Sequence, residues 1–109
     1  VWQGGDDFVD ARDVARANAL APAAKAPSQR VYYVTFGRMH SFDDFVEATR
    51  SLYPGFKTDV RVAAKAGFAG FPKIRPATSD LRAAEAELGY RPQYDLAAAL
   101  AESARHLAV

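Results

Sequence analysis

The chain has 109 residues, half of them apolar and a quarter charged, with fourteen Lys and Arg facing thirteen Asp and Glu. That composition describes a globular domain able to bury a modest core, and it excludes a disordered chain of low hydrophobicity. The charge balance holds no basic block of the kind that nucleic acid demands, and the lack of cysteine removes disulfides, thiolate metal sites and thiol nucleophiles. No apolar run approaches a membrane span, and the first residues carry neither a basic head nor an apolar signal core. The expectation is a soluble, cytoplasmic domain without a nucleic-acid or membrane partner.

The first predicted element is a helix over Asp10–Ala21. Val14, Ala17, Leu20 and Ala21 recur at helical spacing, Asp10 is placed to cap, and Asp13 lies in the first turn at the positive end of the dipole. Pro22 and Pro27 stop it. "RVYYVTFG" follows, dense in β-branched and aromatic residues, and predicts a strand over Arg30–Thr35 that Gly37 ends. Its near-continuous apolar run suits a strand covered on both faces.

Ser41 is an N-cap candidate for a second helix, with Asp43 and Asp44 in its first turn and Phe42, Phe45, Val46, Thr49 and Leu52 on one face. "PGF" breaks that helix, and "KTDVRVAA" predicts a short second strand. The Gly- and Pro-marked loop "GFAGFPKIRPAT" leads to a third helix begun by Ser79 or Asp80. Leu81, Ala84 and Leu88 form its face, and Gly89 is placed for its C-terminal cap. "YRPQY" is an extended link, and Asp95 caps a last helix with Leu96, Ala99, Leu100, Ser103 and Leu107 on one face.

Helices separating strands imply parallel pairing with right-handed crossovers. The predicted fold class is therefore α/β, with about four helices and two short parallel strands. A two-stranded sheet is marginal in water, so these parts read as a portion of something larger.

Three stretches carry a family resemblance: "DFVDARDVARANALA", "VYYVTFGRMHSFDDFVEA" and "SDLRAAEAELGYRPQYDLAAALAESARHL". In order and spacing they resemble the C-terminal portion of extended short-chain dehydrogenases/reductases, the NAD-dependent epimerase/dehydratase family. The resemblance spans roughly residues 6 to 107. It implies the substrate-binding portion of an extended Rossmann-type enzyme, whose N-terminal Rossmann domain would hold the glycine-rich turn, the catalytic Ser/Thr and the Tyr-x-x-x-Lys pair. NAD or NADP would then be the parent's cofactor, with none expected on these residues alone. The substrate would be a sugar, as in nucleotide-sugar epimerases and dehydratases, or a small hydroxy compound.

Two letter matches to the absent machinery fail on physical grounds. Gly67 and Gly70 in "GFAGF" have no third glycine in step and no clear helix start behind them, so a flexible loop is expected there rather than a phosphate cradle. Tyr53 and Lys57 in "YPGFK" match Tyr-x-x-x-Lys. That chemistry needs both side chains one turn apart on a helix, and Pro54 and Gly55 break one.

Ligands of open α/β sheets collect outside the carboxyl ends of strands, which points to "FGRMHS". Arg38 can pair with a carboxylate or phosphate there, and His40 can donate a hydrogen bond. The plainer alternatives are a solvated loop arginine and an exposed turn histidine. Lys73 and Arg75 in "PKIRP" are the second candidates, displaced from the family's basic diphosphate motif, the alternative being a basic surface loop. Asp6 stands where nucleotide-sugar members commonly carry arginine, and Asp10 where histidine is common. An anion beside a diphosphate weakens binding. These departures favour the threonine-dehydrogenase-like branch, which oxidises a small hydroxy compound. His40 and His106 lack ligand spacing, so no metal site is expected.

The function expected is the substrate-binding portion of an NAD(P)-dependent epimerase, dehydratase or dehydrogenase, inactive by itself. The alternative from another class is a stand-alone, non-catalytic assembly or binding module, with its open edges covered by self-association into a homo-oligomer.

Overall fold

A computed structural model describes residues 5–59 and 77–107. Helix α1, Ala11–Leu20, begins where the Asp10 side chain accepts a hydrogen bond from the Arg12 backbone N–H at 2.8 Å. It runs into a 3₁₀ turn, Ala21–Ala23, with Pro22 inside. Helix α2, Phe42–Leu52, opens on a complete capping box. The Ser41 hydroxyl accepts from the Asp44 N–H at 3.1 Å, and the Asp44 carboxylate accepts from the Ser41 N–H at 2.7 Å. A short helix of π geometry, Ala84–Leu88, ends on Gly89 in the left-handed region with φ of 70°. Helix α3, Leu96–Leu107, starts where the Asp95 carboxylate accepts from the Ala98 N–H at 2.8 Å. The expected caps hold at Asp10, Ser41, Gly89 and Asp95, but the third helix does not start at Ser79 or Asp80: its π-geometry segment begins at Ala84, after Ala83, with no side-chain cap.

The strands do not follow the expectation. Among the described residues the sheet has two strands, β1 at Gly5–Asp6 and β2 at His40–Ser41, and they are antiparallel rather than parallel. Gly5 faces Ser41, and Asp6 faces His40. The chain entering α1 runs back beside the chain entering α2, so the two meet head to tail with no crossover between them. Gly5 permits the approach, because a Cβ there would meet the His40 carbonyl oxygen at 2.9 Å.

The stretch Arg30–Thr35, expected to be a strand, has bends at Arg30 and Thr35 and joins no ladder among the described residues. Its propensity is satisfied locally, while the pairing that defines a strand requires a neighbour. Lys57–Asp59 likewise form no strand, and the rest of the predicted second strand lies outside the described residues, as do Gly67 and Gly70. Tyr53 and Lys57 flank a Pro54–Gly55 turn closed by the Phe56 N–H on the Tyr53 carbonyl, so they share no helix face.

The core is small. Ala17, Ala84, Leu88 and Tyr90 are buried together, with Tyr32, Val34, Leu81 and Ala24 packed around them. It sits between α1, the π-geometry helix and the inner face of the Arg30–Thr35 stretch. Helix α2 packs on α3 at the other end.

Candidate functional site

Two buried carboxylates organise the loops around this core. Asp13 is fully buried, accepting from the backbone N–H groups of Gln93 and Tyr94 at 3.0 Å and from the Arg16 guanidinium at 3.1 Å. Arg16 also donates to the Arg91 carbonyl. The first-turn acid of α1 therefore pins the extended link before α3, which is more than bracing its own helix. Asp7, also buried, accepts from the Thr35 hydroxyl at 2.8 Å, the Gly37 N–H at 2.9 Å and the Ser79 N–H at 3.1 Å. It ties the end of the Arg30–Thr35 stretch to the approach of the π-geometry helix. Gly37 has φ of 80°, a left-handed backbone that disfavours any side chain, and it lies against the Leu81 side chain.

Tyr90 completes the knot. It is wholly buried, and its hydroxyl donates to the Thr35 carbonyl at 2.8 Å. Burial, reinforced by the nearby Asp13 charge, pushes its phenol up to about 12. On the other side, the Glu87 carboxylate accepts from the Ser28 backbone N–H at 2.7 Å, the Ser28 hydroxyl and the Tyr32 hydroxyl. The Ser28 and Tyr32 hydrogen bonds hold that carboxyl below its ordinary range.

The residues singled out by sequence separate. Arg38 is exposed on the turn after the Arg30–Thr35 stretch, whereas His40 is buried in β2. Arg38 faces Asp44, whose carboxyl is lowered first by the Ser41 backbone and hydroxyl hydrogen bonds and to a smaller degree by the Arg38 charge. Lys73 and Arg75 lie outside the described residues. His40 stands among rings, its centroid 5.7 Å from that of Phe36 and 6.5 Å from that of Phe8, and its Nδ1 is buried with no hydrogen-bond partner among the described residues. A cavity of about 170 Å³ opens beside it, walled by Phe8, Phe36, Phe45 and the α3 residues Leu96, Ala99 and Leu100.

The chemistry available is that of holding and covering. Asp7 and Asp13 direct their oxygens at backbone N–H groups and at fixed side chains, so neither is placed as an acid or base. The Ser103 hydroxyl donates to the Ala99 carbonyl, and His106 pairs with Glu102, so the two form no nucleophile–base pair. Among the described residues no group of three His, Asp or Glu side chains converges as metal ligands. Sequence reasoning missed Asp7, Glu87 and Tyr90. Their acidic and phenolic side chains were visible, but their partners lie 28 to 72 residues away.

Among the described residues no helix is long and apolar enough to cross a membrane. No family model, curated protein or solved structure matches the chain.

Proposed function

We propose that the chain is the substrate-covering portion of an NAD(P)-dependent epimerase, dehydratase or dehydrogenase acting on a sugar or small hydroxy compound, and that it is inactive by itself. The observation that carries this reading is the stretch Arg30–Thr35. One side of it, Tyr32 and Val34, is seated on the core, while Val31 and Tyr33 are 73% and 64% exposed. No backbone hydrogen bond joins Val31–Val34 to another described residue. A β-rich segment with one face packed and its backbone unpaired is suited to enter a sheet supplied by another unit. A Rossmann domain would supply such a sheet, with Arg38 just beyond the carboxyl end of the segment, where a substrate anion would lie. The family resemblance of the three motif stretches supports the same reading.

In the parent, a hydride would pass between the substrate carbon and the nicotinamide, with the base supplied by the Rossmann domain. Lys73 and Arg75 would be further anion contacts. The test is an assay of this chain and of its full natural polypeptide with NAD, NADP and hydroxy substrates. The longer polypeptide should bind dinucleotide and transfer hydride, and this chain should do neither. Dinucleotide bound by these 109 residues alone would overturn the reading.

The same unpaired stretch favours one other reading, a stand-alone module that self-associates through it. Sedimentation in dilute solution separates the two, since a module of that kind forms a defined homo-oligomer without any dinucleotide-binding unit.

A further inference from the structure

Residues Val31–Val34 read Val-Tyr-Tyr-Val, the same in both directions. Tyr32 and Val34 rest on the core, while Val31 and Tyr33 are exposed. Each side of the segment therefore carries one valine and one tyrosine, and exchanging the two pairs would bury nearly the same apolar area. Hydrophobic pattern fixes which face turns inward only where the two faces differ. No ladder fixes it either, because no backbone hydrogen bond joins Val31–Val34 to another described residue.

Polar ties bracket the segment. At its far end the Thr35 hydroxyl donates to Asp7 and the Thr35 carbonyl accepts from Tyr90. The alternation has ended there: the chain bends at Thr35, and Val34, Thr35 and Phe36 are all half-buried. At its near end stands Glu87, set between the buried Ala84 and Leu88 on a helix closed by Gly89. One Glu87 oxygen accepts from the Ser28 N–H and the Tyr32 hydroxyl, and the other accepts from the Ser28 hydroxyl. The Tyr32 hydroxyl accepts in turn from the Gln29 N–H at 3.4 Å. Tyr33 makes no such bond to a described residue. The clasp thus distinguishes two tyrosines that packing alone treats alike.

We propose that Glu87 is the positioning residue that selects the face of this segment. By holding Ser28 and the Tyr32 hydroxyl, it turns Tyr32 and Val34 onto the core and leaves Val31 and Tyr33 outward. The use of that outer face rests on the function proposed above, in which it meets a partner sheet.

The test is side-chain exposure in the full chain, with no dinucleotide or partner present. NMR reads how strongly a soluble nitroxide relaxes the Val31 and Val34 methyls and the Tyr32 and Tyr33 rings. In the unsubstituted chain Val31 and Tyr33 should relax several-fold faster than Val34 and Tyr32. Glu87→Ala should remove most of that contrast. Glu87→Gln should restore it, since its amide oxygen accepts from the Ser28 N–H and Tyr32 hydroxyl while its NH₂ donates to the Ser28 hydroxyl. Tyr32→Phe keeps a ring for the core and should lower the contrast between the two valines, whereas Tyr33→Phe should not. The Gln93 and Tyr94 amides, held by Asp13, report in every variant that the fold stands.

Undiminished contrast in Glu87→Ala, no restoration in Glu87→Gln, or equal effects of Tyr32→Phe and Tyr33→Phe would overturn the inference. Should Glu87→Ala fail to fold, the two tyrosine variants decide alone. Failure here leaves hydride transfer by the longer polypeptide untouched, and inactivity of that polypeptide leaves the exposure contrast as it is.

Discussion

The two ends of the molecule are held by different physics. At one end, α1, the π-geometry helix and the link at Arg91–Tyr94 are locked by carboxylates buried against backbone N–H groups, with Asp13 and Asp7 at the centre. At the other end, β1, β2, α2 and α3 meet through aromatic and aliphatic contacts, and they leave open volume. A groove of about 520 Å³ along Phe8, Phe42, Phe45, Val46 and Phe56 adjoins the His40 cavity. Carboxylate pins fix loops in one geometry, because each unmet lone pair or N–H in a dry site is penalised. Loose aromatic packing tolerates volume changes better. The pinned end is therefore the part whose loops are fixed by hydrogen bonds, and the aromatic end is the part that leaves open volume.

That contrast can be broken most decisively at Asp13. Asp13→Ala leaves the Gln93 and Tyr94 N–H groups and Arg16 without their acceptor, and should cost about 3–5 kcal/mol, read as a collapse of the urea midpoint. Asp7→Ala should cost about 2–3 kcal/mol and loosen amide-exchange protection at Gly37 and Ser79 together, since one carboxylate serves both. If the two positions proved independent, Asp7 would not be a shared pin.

Tyr90→Phe removes one hydrogen bond to the Thr35 carbonyl and should cost about 1 kcal/mol at neutral pH. Its pH signature is sharper. The phenol stands at about 12 in the fold against an ordinary 10.0, so folding favours the protonated form. The stability tied to Tyr90 is complete below pH 10.0 and drains away as pH climbs toward about 12. Urea titrations across that window should show a shallower alkaline loss in Tyr90→Phe than in the parent chain. An identical loss in both would place the titrating group elsewhere.

The smallest effect is expected on the outer side of the Arg30–Thr35 stretch. Val31→Lys and Tyr33→Lys touch no described core residue and should change the stability of this chain by no more than about 0.5 kcal/mol. On the function proposed above, they should nonetheless impair docking of a partner sheet. A large loss of stability in the isolated chain would mean that this side is already covered.

Much of the local structure was legible. Asp10, Ser41 with Asp44, Gly89 and Asp95 cap as their residue types and spacing predict, because a cap is satisfied by groups within a few residues. The candidate site was less so. Arg38 lies on an exposed turn as a loop cation does, but the burial of His40 among Phe8 and Phe36 depends on two segments about thirty residues apart meeting in space.

By itself the sequence determined the caps at Asp10, Ser41, Gly89 and Asp95, since these follow from hydrogen bonds and steric preferences acting over one or two turns. Only the tertiary structure decided that the strands run antiparallel at Gly5–Asp6 and His40–Ser41, and that Asp13 serves the link to α3. Pairing direction and the partner of a buried charge depend on which distant backbone arrives within hydrogen-bond reach. No periodicity along the chain encodes that arrival.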